Sequence, residues 1–193
     1  MKEAVRRQAQ EQAREYLKTR GTRLPAPVIA ERVGAAFQAL ESLLDSVSSE
    51  QAPRVAWPEE WTIQEIVDHL VETHRQSLDE LRCLLAGQAP GGEPIPAGLQ
   101  SKAPRLRPWT WLVRELKSTH RDILAALEEI PADFVTEARA QLVMVVNVRD
   151  EEDGALVPVE WVEELDWKGY ATALRLHAID HLNQAKKVLA EVR

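Results

Sequence analysis

A chain of 193 residues, 45% hydrophobic and 28% charged, has the composition of a soluble globular protein with one substantial core, which excludes wholesale disorder. Its formal charge of -7 argues against a general nucleic-acid binder, whose affinity comes mainly from neutralising phosphates. One cysteine, Cys83, excludes an intrachain disulfide and a Cys-rich zinc site, so any metal must be held by histidine with carboxylate or water.

No apolar run approaches the roughly 18 residues of a membrane span, and the charged start MKEAVRRQAQEQAREY has no apolar signal segment. A single domain over 1–193 is expected, cytoplasmic, with neither membrane nor nucleic acid as partner. Cys83 stands among Leu81, Leu84 and Leu85, where packing is its expected role. Charge is uneven: residues 1–23 hold seven Lys/Arg against three Glu, a local +4 that leaves about -11 for the remainder.

Residues 2–19 read as an amphipathic helix with a thin apolar stripe of Val5, Ala9, Ala13, Tyr16 and Leu17, stopped by Gly21. Leu24-Pro25-Ala26-Pro27 then predicts a stiff extended link. A second helix is expected over 28–47, where Ile29, Val33, Phe37, Leu40 and Leu44 recur at helical spacing. Thr62 followed by Glu65 is the pattern of a capping box, and it opens a third helix whose stripe runs from Ile63 through Ile66, Leu70, His74, Leu78 and Leu81 to Leu85. The Pro- and Gly-rich residues 88–107 predict a long crossover over one end of a bundle. Pro108 begins a fourth helix, with Leu112, Leu116, His120, Ile123 and Leu127 on its apolar side, and Pro131 ends it.

The period then changes. Leu142 to Val148 and Leu156 to Trp161, rich in Val and separated by the acidic turn Asp150 to Gly154, predict a hairpin with Pro158 on an edge strand. A last helix runs from Trp167 or Gly169 to Val192.

That helix carries two of the chain's five histidines, His177 and His181, four residues apart and therefore on one face, one turn from each other. A buried imidazole needs a partner for each ring nitrogen, so the pair is either two core histidines bonded to carboxylates or two of the three or four ligands of a zinc-type site. Periodicity prefers His74 as the inward-facing histidine of the third helix and leaves His69 on its flank, beside Glu65, Glu72 and Thr73.

Two segments now carry a family resemblance. Trp61-Thr62-Ile63 through Asp68-His69-Leu70 to His74 resembles the start of helix two in the DinB/YfiT-like superfamily. His177-Ala178-Ile179-Asp180-His181-Leu182-Asn183-Gln184 resembles that family's last helix. The resemblance implies a mainly α fold: a DinB-like four-helix bundle with a crossover connection. To it are added an N-terminal helical extension at 1–23 and a β-hairpin insert at 139–163 before the last helix. It also implies a divalent metal ion, zinc or nickel, held by His69, His177 and His181 with coordination positions left open, and puts His74 near the site instead of in it.

Similar proteins include proposed metal-dependent hydrolases and enzymes that transfer low-molecular-weight thiols such as bacillithiol or mycothiol. The expected partners are accordingly a small-molecule substrate or a thiol cofactor, and a second copy of the chain in a homodimer. His74, Glu72 and Asp180 are the candidate proton-transfer groups, and His120 could reach the site from the fourth helix. The acidic insert could serve as a lid or dimer surface, or simply as a solvated hairpin. The competing functional expectation is a non-catalytic stress-response or dimerising bundle with structural histidines. Nucleophile-elbow, phosphate-loop, HExxH and dinucleotide-binding patterns are all missing from the sequence, which weakens protease, ATPase and dehydrogenase alternatives.

Overall fold

Thr62 accepts a hydrogen bond on its side chain from the Glu65 amide, while Glu65 accepts one from the Thr62 amide at 2.9 Å; this completed capping box starts the longest helix of the first half of the chain. The computed structural model describes residues 3–131, 133–149 and 154–192. It contains five α-helices, α1 (Glu3–Leu17), α2 (Ala26–Leu44), α3 (Ile63–Leu85), α4 (Trp109–Glu128) and α5 (Trp167–Glu191), and one antiparallel hairpin of β1 (Ala140–Arg149) and β2 (Leu156–Leu165). Among the described residues no helix is long and apolar enough to cross a membrane.

Helices α2 to α5 form the bundle, and its order differs from a simple up-and-down arrangement. Around its circumference the order is α2, α4, α3, α5, so α2 lies diagonally from α3, and α4 from α5. The Trp109 indole donates to the Val47 carbonyl and Lys117 pairs with Asp45, so the start of α4 meets the end of α2 and the two run antiparallel. Gln64 donates to the carbonyls of Pro104, Arg105 and Arg107, which puts the starts of α3 and α4 side by side and makes these neighbours parallel. Lys168 reaches the Leu24 carbonyl and Arg54 the Val192 carbonyl, so α2 and α5 are parallel too. Their shared core is apolar, with Val33, Leu40, Ile66, Leu70, Leu112, Leu116 and Ala185 wholly buried.

Parallel neighbours need a connection that travels the length of the bundle, about 35 Å for the 23 residues of α3. Residues 88–107 are therefore not a cap over one end. Their second half lies along the first turns of α3, where Asp68, fully buried, accepts from both the amide and the hydroxyl of Ser101 and faces Arg107 at 3.2 Å. Glu65 holds Arg105 at 2.8 Å, and Gln100 donates to the Glu65 carbonyl.

Three boundaries depart from expectation. Helix α2 begins at Ala26 because a proline in the first turn has no amide to leave unpaired; Pro25 is its extended N-cap, and Pro27 is accommodated inside. Gly21 does not stop the first helix outright. The chain continues as a π turn over Lys18–Thr22, and a Cβ on Gly21 would stand 2.6 Å from the Thr172 hydroxyl, so only glycine lets this turn lie against α5. The hairpin is longer than 142–161 because pairing extends to Ala140 opposite Leu165. Most of its acidic turn, 150–153, lies outside the described residues.

The basic first helix and the acidic second strand meet each other. Arg14 bonds Glu163 at 2.8 Å, Arg6 donates to the Glu160 carbonyl, and the Trp161 indole also donates to Glu163. Behind these polar contacts Met144, Val159, Trp161 and Leu165 are buried, together with Ala9 and Leu17 of α1.

Candidate metal centre

All five histidines of the chain lie in one connected cluster. Helix α3 supplies His69 and His74, α4 supplies His120, and α5 supplies His177 and His181. His69 Nε2 and His181 Nε2 stand 3.0 and 3.1 Å from His177 Nε2. One nitrogen from each of these three rings falls within 4.8 Å of the others, a spacing that could hold a metal ion.

The outer nitrogens explain why the inner ones converge. His69 Nδ1 lies 2.7 Å from the Leu99 carbonyl, which can only accept, so the proton of the neutral ring sits on Nδ1 and Nε2 is left bare. His181 Nδ1 lies 2.8 Å from Gln184 Oε1, which gives that ring the same tautomer. Two bare nitrogens thus face His177 Nε2.

Behind His177 the remaining histidines form a file. His177 Nδ1 meets His74 Nε2 at 3.0 Å, His74 Nδ1 meets His120 Nε2 at 3.1 Å, and His120 Nδ1 meets Glu41 Oε1 of α2 at 2.7 Å. Phe37 stacks on His120 with ring centroids 3.8 Å apart and planes within 6° of parallel, fixing that ring's orientation. Trp61 closes one side of the site, with its ring centroid 5.0 Å from that of His69 and 6.2 Å from that of His181.

Burial pushes the pKa of every one of these imidazoles below its ordinary value, because desolvation disfavours the charged ring. The neighbouring rings push in the same direction at His74, His177 and His181, and His181 is lowered to about 4. At His69 and His120 the Leu99 carbonyl and Glu41, respectively, act in the opposite sense without reversing the shift. Neutral imidazoles with bare, convergent nitrogens are the form in which histidine binds a cation.

The sequence expectations meet this geometry unevenly. His69, His177 and His181 come together. His74 touches the group from behind, as the family resemblance implies and helical periodicity alone does not; its flank rival His69 is buried because the crossover covers it. His120 reaches His74 but not the convergent nitrogens. Glu72 is committed to Arg107 and Arg75 and makes no bond to the cluster. Asp180 is exposed on α5 and has neither hydrogen bond nor ion pair among the described residues. Glu41 was not foreseen, since an acidic residue on the flank of an amphipathic helix has the same signature as one bathed in solvent.

The family model of the DinB superfamily matches residues 32–162. A solved structure, YfiT from Bacillus subtilis, superposes with a TM-score of 0.62 over 84% of this chain and 85% of that one, at 13% sequence identity. That protein is described as a probable metal-dependent hydrolase with an unusual four-helix bundle topology. No curated protein matches the chain by sequence.

Proposed function

The chain belongs to the DinB superfamily, and from that premise we propose that it is a metal-dependent enzyme whose His69, His177 and His181 hold one divalent cation, zinc or nickel. The observation that carries this is the convergence of three imidazole nitrogens whose opposite ring nitrogens face the Leu99 carbonyl, Gln184 and His74. Three neutral histidines with positions left open is the donor set of catalytic, as opposed to closed structural, zinc sites.

Held in this way, the cation supplies Lewis acidity that activates a water or a thiol near neutral pH. The chain's own residues do the rest. His177 and His181 keep partial exposure, which leaves a route for a small substrate, while Trp61 offers an apolar wall beside His69 and His181. With Glu72 bound to Arg107 and His74 bound on both ring nitrogens, Asp180 is the candidate proton carrier left uncommitted. Hydrolysis is the first reaction class and transfer of a low-molecular-weight thiol the second; the description of the Bacillus subtilis structure favours the first.

The test is elemental analysis of untagged protein purified without chelator, beside His177→Ala. Near one equivalent of zinc or nickel in the parent and little in the variant is the expected result. A parent that takes up no metal even after reconstitution would leave a structural helical bundle as the better account.

A further inference from the structure

The file of rings behind His177 ends on a carboxylate, and that end decides the direction of every hydrogen bond in it. Ionised Glu41 can only accept, so His120 carries its proton on Nδ1 and donates to Glu41 Oε1. A neutral His120 then offers only a lone pair at Nε2, so the proton between it and His74 belongs to His74 Nδ1. The same step repeats once more. His74 Nε2 is bare, accepts from His177 Nδ1–H, and leaves His177 Nε2 without a proton. The opposite direction would point three N–H groups toward the site and end with a bare His120 Nδ1 against a carboxylate oxygen at 2.7 Å, two lone pairs in repulsion.

We infer that Glu41 is a positioning residue for the three-histidine site: acting through His120 and His74, it fixes the tautomer of His177 so that Nε2 faces His69 and His181 bare. This rests on the metal reading for its purpose but not for its geometry. His69 and His181 each have a local acceptor, Leu99 and Gln184, and so need no such device. His177 Nδ1 has only another imidazole as its acceptor, one that could equally well donate, so its tautomer must be imposed from further away. Phe37, stacked on His120, and the complete burial of His74 keep the file in register and free of competing water. Glu41 itself is 26% exposed, so it is accessible to substitution without opening the core.

The inference is tested by two measurements on the full chain, zinc affinity and the imidazole tautomers of zinc-free protein by nitrogen-15 NMR at about pH 8, above the ordinary imidazole range. The parent should show Nδ1–H on His120, His74 and His177. Glu41→Leu removes the terminal acceptor and should convert His177 to Nε2–H and weaken zinc by about 10–100-fold. Glu41→Gln keeps a carbonyl acceptor and should stay close to the parent in both readouts, which a merely structural loss would not. Parent-like zinc affinity in Glu41→Leu, or Nε2–H on His120 or His177 in the zinc-free parent, would overturn it. The parent spectrum alone decides the matter if the Leu variant does not fold. A parent that binds no zinc yet shows the three Nδ1–H rings would refute the metal reading while leaving the relay intact.

Discussion

His177 and Tyr170 stand seven residues, two helical turns, apart on one face of α5, and both are held by α3. Tyr170 is completely buried, and its hydroxyl donates to Glu80 at 2.5 Å. Burial pushes the Tyr170 pKa well up and also raises that of Glu80, so the pair survives as a neutral phenol against a half-buried carboxyl. Tyr170→Phe keeps the ring and deletes the donor, and it should cost about 1–3 kcal/mol of stability because Glu80 loses its partner. A lower urea midpoint with an unchanged slope is the expected result, with metal content unaltered. Such pairings are scarcely visible in a sequence. The histidine pair could be found by its spacing, whereas Glu41, Glu80 and Tyr170 acquire their roles only when helices distant in the chain are packed together.

At the scale of elements, the segment that matters most to the site is the crossover. Its long run of prolines and glycines announced a connection, and the capping box announced α3, because both signals are local. What the crossover does was hidden: it gives His69 its acceptor through a main-chain carbonyl, Leu99, and a carbonyl leaves no trace in the residue type. This is also why periodicity favoured His74. A helix flank looks solvent-facing until another segment lies over it, and Asp68, wholly buried on the same helix, was equally illegible. Asp68→Ala should therefore act at a distance. It leaves the Ser101 amide and hydroxyl without their acceptor, loosens 97–102, and weakens the hold of Leu99 on His69. Limited proteolysis should show new cleavage within this segment, and zinc affinity should fall by roughly the 10–100-fold typical of lost support behind a ligand. Parent-like protection would show that the α3 contacts of Gln100 and Arg105 hold the segment by themselves.

For the whole molecule, gathering five uncharged imidazoles in one core ties stability to pH. An unfolded chain protonates its histidines near pH 6.5, whereas the folded one keeps all five neutral to lower pH, with His181 lowered to about 4 and His74 and His177 pushed well below their ordinary value. Below pH 6.5 the unfolded state binds more protons, so stability is unaffected above that value, declines as pH falls toward 4, and levels off once the folded rings protonate as well. The melting temperature of metal-free protein should be flat from about pH 8 to 7 and fall steeply below about 6.5. A profile that stays level down to about pH 5 would mean that the cluster charges without unfolding.

The parallel pairing of α3 with α4 and of α2 with α5 has a consequence for how the protein is made. Of the consecutive bundle helices, α2 and α3 face one another across the diagonal, as do α4 and α5, and the nitrogens that converge come from positions 69, 177 and 181. No part of the chain that lacks α5 contains more than one of them. A growing polypeptide leaving the ribosome thus carries one member of the converging trio, beside His74 and His120, through most of its synthesis, and the three-nitrogen cradle comes into being in one step, when the last helix slots between α2 and α3. On the proposed function, loading of the three-histidine site would thereby be deferred to a finished bundle, and a product stalled or clipped before α5 would lack two of its three donors.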